Sequence, residues 1–107
     1  MRLGVLGLVL LAALTGCSRG TPADMRLAHE PAFLDQVRIE AGGRLAPGED
    51  IDETSMLFFG NLVCRELEAG RITDRGAVEW VTTAYPDTPD AVDAATVATI
   101  LCPDWYR

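Results

Sequence analysis

Cys17, Cys64 and Cys102 carry the most reactive groups in this chain, and each sits in a distinct setting. A thiolate can be alkylated, oxidised to a disulfide or recruited by a soft metal, depending on its neighbours and compartment. Cys17 directly follows Leu14-Thr15-Gly16, a leucine and two small residues at the end of an apolar run. Cys64 and Cys102 fall on apolar faces near the ends of two expected helices. His29 is the only histidine. A histidine base needs a nucleophile beside it, and no Ser–His pattern accompanies this one. It is expected to be an exposed linker or cap residue ahead of the first helix.

The segment in front of Cys17 explains that cysteine. Arg2 is a minimal positive start, and Leu3 to Leu14 are uncharged and free of proline. As a helix this run spans about 18 Å against a hydrocarbon core of about 30 Å, which suits an export signal rather than a membrane span. The pattern resembles a bacterial lipobox: aliphatic residue, small residue, glycine, cysteine. Residues 1–16 are therefore expected to be a lipoprotein signal peptide. Cys17 is expected to be lipidated and to anchor the protein to the extracytoplasmic face of the cell membrane. An ordinary secretory signal with an incidental cysteine is the alternative, and an uncleaved anchor a lesser one.

Removal of residues 1–16 takes away one arginine and no acid, moving the formal charge from −7 to −8. There is no lysine. Such a balance disfavours nucleic acid, whose phosphates demand cationic partners. Residues 17–29 are polar and small at first with no clear period, and are expected to form a flexible tether, with Met25 and Leu27 placed where packing could begin. Residues 30–107 suffice for one small domain, of a size that benefits from a covalent staple.

Hydrophobic spacing divides that domain into helices. The first is expected to open at Glu30-Pro31, with Pro31 at its first position, and to carry Phe33, Leu34, Val37 and Ala41 on one side until Gly42-Gly43. Asp50 is placed to cap a second helix, with Glu53 in capping-box register. Met56, Phe59, Gly60, Val63, Cys64 and Leu67 then recur at spacings of three and four as one apolar stripe. Gly60 costs about 1 kcal/mol there relative to alanine, which a close approach by another backbone would explain. Gly70 ends the helix.

A third segment runs from Thr73 or Asp74 to Tyr85. Its Val78–Thr83 stretch has strand propensity, but a lone strand would lack a partner, so helix is favoured. Thr88-Pro89-Asp90 opens a fourth helix whose Ala91, Ala94, Ala95, Ala98, Leu101 and Cys102 make a small-residue face, closed by Pro103. The expected fold is all-α, a bundle of three or four helices with one disulfide.

With Cys17 assigned to lipid, Cys64 and Cys102 are expected to pair, as two remaining cysteines of an exported chain usually do. The loop-entropy estimate for that spacing is about 4 kcal/mol. Two free buried thiols, or a redox or metal pair, are the alternatives; the absence of CxxC weighs against the latter. The pattern Gly60, Val63, Cys64, Leu67, Gly70 resembles the core signature of domain of unknown function 732, found in small exported proteins and lipoproteins of mycobacteria and their relatives. Phe33-Leu34 and Cys102-Pro103 match an early Phe-Leu pair and a closing Cys-Pro. The resemblance spans roughly residues 30–103 and implies a small helical, disulfide-bonded exported domain. It brings no catalytic residue.

The acidic groups have plain explanations. Glu49-Asp50-Ile51-Asp52-Glu53 lacks the alternation of a calcium loop and is expected to cap a helix and face solvent. Asp87, Asp90 and Asp93 lie near the fourth helix's positive end. No cofactor or metal is expected. Trp80, Trp105 and Tyr106 are the candidate interaction surface, since such residues are favoured at interface centres. For Trp80, core packing is the stronger expectation. The expected role is non-enzymatic: an envelope lipoprotein that binds an envelope protein partner. A carrier of a small apolar ligand, in a pocket beside the Phe-rich second helix, is the alternative, and an envelope hydrolase a distant third.

Intact-mass and peptide mass spectrometry of the protein from the membrane fraction should find acyl groups on Cys17 as the new N-terminus. Cys17→Ser should release the protein from membranes. An unmodified Cys17 in a soluble product would defeat the anchoring expectation.

Overall fold

The computed structural model describes residues 22–103. Leu14, Cys17, Trp105 and Tyr106 thus lie outside the described residues. Among the described residues the fold is all-α, with no strands and five helices: α1 (Pro22–Ala41), α2 (Glu53–Glu68), α3 (Ala77–Ala84), α4 (Pro89–Thr96) and α5 (Ala98–Leu101). No described helix is long and apolar enough to cross a membrane.

The first helix starts earlier than expected, so residues 22–29 are helical rather than a tether, and Pro31 lies inside the helix. Periodicity concealed this because the helix packs its N-terminal half through a polar side chain. Arg26 is only 9% exposed. Its Nε donates to Asn61 Oδ1 at 2.8 Å, and its other guanidinium nitrogens include one bound to Glu68. Further along, Phe33, Val37 and Ala41 provide the apolar contacts. Arg26 meets the C-terminal half of α2 while Arg38 meets Glu53 at its start, so α1 and α2 run antiparallel.

The stripe of α2 is buried as its spacing predicts, at Met56, Phe59, Gly60, Val63, Cys64 and Leu67. Its cap differs. Asp52, not Asp50, is the N-cap, accepting from the Ser55 amide at 3.1 Å. Asp50 is instead held by Arg38 and by the Ile51 amide. A guanidinium offers a carboxylate two charged donors where a helix end offers one amide. At the far end Gly70 adopts φ +73°, and its amide and that of Arg71 return to the carbonyls of Leu67 and Glu66. This is a Schellman closure, which glycine enters without steric cost.

Gly60 explains how α1 sits on α2. A Cβ at this position would lie 2.6 Å from Phe33 Cζ and 3.0 Å from Leu101 Cδ2. The close neighbour is an aromatic ring, not the backbone that the sequence suggested. The adjacent turn carries Cys64, whose Sγ is 2.10 Å from that of Cys102, with the Cα atoms 5.9 Å apart. Both cysteines are fully buried.

The expected third helix survives as helix but begins only at Ala77, because residues 74–76 form a turn held by the Thr73 hydroxyl and carbonyl on the Gly76 amide. The expected fourth helix divides at Val97, where φ is −118° and ψ 17°. Thr96 donates its hydroxyl to the Val92 carbonyl, a bond that bends helices, and β-branched Val97 follows it. The bend lets Ala91, Ala94 and Ala95 pack against α2 and α3 while α5 turns Leu101 toward α1.

Gly60→Ala gains about 1 kcal/mol of helix propensity but forces a methyl into the Phe33 ring, an overpacking that costs about 1–3 kcal/mol. Urea unfolding should show a net loss of up to about 2 kcal/mol. Phe33→Leu should be better tolerated in the Gly60→Ala background than alone. Additive losses would disprove the contact.

Candidate interaction site

The charged side chains resolve into arginine clamps. Arg38 reaches Asp35 at 3.5 Å, Asp50 at 3.0 Å, and Glu53, tying α1 to the entry of α2. Arg44, in the loop 42–52, spans Asp90 at 3.0 Å and Asp93, fastening that loop across α4. Arg71 pairs with Glu66 at 2.8 Å, next to the Schellman turn. The Arg38 guanidinium lowers the Asp50 carboxyl below its ordinary value, with the Ile51 amide adding to the effect. Arg71 does the same to Glu66.

The acidic runs noted in the sequence are therefore structural. Asp52 caps, Glu49 accepts from the Ala46 amide, and Asp50 and Glu53 grip Arg38. Asp90 and Asp93 hold Arg44, and Asp87 takes φ 61° in the turn before α4, a conformation that aspartate tolerates better than most residues. Among the described residues there is no cluster of three or more His, Cys, Asp or Glu arranged to hold a metal. His29 lies within α1, half-buried, rather than ahead of the first helix.

Of the aromatic candidates, Trp80 is half-buried and packs against the core. Trp105 and Tyr106 fall beyond the described residues. A different aromatic chain is visible: Phe58 meets Phe59 edge-on at 5.1 Å, and Phe59 meets Tyr85 edge-on at 5.2 Å, joining α2 to the end of α3.

An open concavity among the described residues lies elsewhere, as a groove of about 350 Å³ along α1 beside the start of α2. Leu27, Pro31 and Leu34 supply its apolar surface, while Glu30, Asp35, Arg38 and Glu53 supply its charge. Leu27 is 60% exposed. Leu34, expected in the core, is half-buried and reaches both core and groove. The site was hidden in the sequence because Leu27 fell in the expected tether. A signal existed: Leu27, Pro31 and Leu34 recur at helical spacing, one face away from Phe33 and Val37.

Fold and site together define a small, disulfide-locked helical bundle with an open acidic groove. Comparison with models of protein families, with curated proteins and with solved structures found no match.

The lowered carboxyl values give a signed pH dependence. A depressed folded value stabilises the fold fully above the unfolded value, about 4 for these groups, and the stabilisation is lost as pH falls through the folded value. The melting temperature should therefore be flat between about pH 5 and 7 and fall below about pH 4. Asp50→Asn should lower it at neutral pH, with the difference from wild type shrinking toward about pH 2. An unchanged gap across that range would show that the Asp50 carboxylate contributes nothing.

Proposed function

We propose that this protein is a non-enzymatic envelope lipoprotein, anchored through Cys17 at the extracytoplasmic face of the membrane, whose domain binds an envelope protein. The observation that carries the reading is the groove on α1: a concave surface with an exposed leucine, built on a helix held at both ends by Arg26 and Arg38. A surface that is rigid before binding loses little entropy on binding, which favours recognition.

Two further features support the setting. The Cys64–Cys102 disulfide suits an oxidising compartment. The Leu14-Thr15-Gly16-Cys17 sequence suits lipidation. Membership of the domain of unknown function 732 family is part of the same proposal, supported by the Gly60–Gly70 motif and by the helical, disulfide-bonded fold that the likeness implies.

Cross-linking in native membranes, with a photoreactive group at Leu27, should trap a reproducible protein partner. The same group at Glu79, an exposed position on α3, should trap it less. Absence of any partner with the folded, membrane-bound protein would count against the interaction reading.

A further inference from the structure

The charge around the groove says what kind of segment it accepts. Three carboxylates, Glu30, Asp35 and Glu53, face one guanidinium, Arg38. That guanidinium is already committed to Asp35, Asp50 and Glu53, and the whole chain is formally −7. The potential over Leu27, Pro31 and Leu34 is thus negative although the surface beneath is apolar. An anionic lipid surface or an acidic peptide would be repelled from this rim. A segment with apolar side chains flanked by arginine or lysine would gain on both counts.

We propose that the α1 groove is the docking surface for a basic amphipathic segment of a partner protein, its apolar residues seated on Leu27, Pro31 and Leu34 and its cations on the Glu30, Asp35 and Glu53 rim. This rests on the interaction reading above and names the chemistry of the partner.

The full-length lipoprotein in zwitterionic nanodiscs, titrated with a fluorescent amphipathic Leu/Lys peptide, tests this. Saturable binding is expected, with a matched Leu/Glu peptide failing to bind. Leu27→Ser and Glu30→Lys should each weaken the Leu/Lys peptide about tenfold. Glu40→Lys, an equal charge change at an exposed position outside the groove, should weaken it less than twofold. Equal binding of the two peptides, binding only to the nanodisc itself, no binding, or equal losses in Glu30→Lys and Glu40→Lys would each overturn the proposal. The fate of the broader reading is separable. If native-membrane cross-linking still captures the same partner with Leu27→Ser, using a probe placed outside the groove, the groove assignment falls and the interaction reading stands. If wild type captures none, the interaction reading itself falls.

Discussion

The Phe33 ring lying over Gly60 is the contact on which the rest of the packing depends. It brings together α1, α2 and α5, because Leu101 approaches the same bare backbone from α5. Any side chain at position 60 would force α1 outward or displace the ring. One turn along α2, the Cys64–Cys102 bond covers the same junction. A helix as short as α5 has no stability of its own, since nucleation costs more than its few hydrogen bonds return. It exists because Leu101 fills the space beside Gly60 and Cys102 is covalently held. The glycine is thus unfavourable to α2 alone and favourable to the assembly.

Around that apolar junction the arginines define register. Arg26 and Arg38 meet α2 at opposite ends, so sliding α1 along α2 would break both sets of contacts together. Arg44 fixes the loop 42–52 over α4, and Arg71 secures the turn that leaves α2. Exposed pairs such as these are individually weak, typically about 0–1 kcal/mol. Their contribution is geometric: in an acidic chain without lysine, each fork selects particular carboxylates, from the single Glu66 at Arg71 to the three at Arg38. The Arg26 contacts differ in being largely buried, which makes them the costlier ones to leave half-formed.

What could be read from the sequence follows from which interactions leave a periodic trace. The α2 stripe, the Gly70 stop, the helical third segment and the Cys64–Cys102 pairing were all legible, because apolar spacing and turn chemistry are local signals. The early start of α1 was not. Its buried residue there is an arginine, which periodicity counts as a surface position, and Pro31 invites a helix start where the helix in fact continues. The break at Val97 leaves no trace in the spacing because the alanines of α4 continue in register to Ala98, and the bend depends on where Leu101 must go. Asp50 was the expected cap, but Arg38, a partner twelve residues away, holds its carboxylate and Asp52 caps instead.

The same misreading hid the groove, and the reason ties site to fold. Treating residues 17–29 as tether removes Leu27, and placing Pro31 at a helix start makes it a terminus rather than a wall. Once α1 extends to Pro22, its buried face turns through Arg26, Phe33, Val37 and Ala41, and Leu27, Pro31 and Leu34 fall on a neighbouring face beside α2. Burial of that face would require a further element, which none of the described helices supplies. Arg38 sits between the two roles: its clamp on Asp50 and Glu53 holds α2 against α1 and closes one end of the groove. The interaction that sets the register of the bundle therefore also sets the shape of the surface it presents, so the groove is as rigid as the helix pair that forms it.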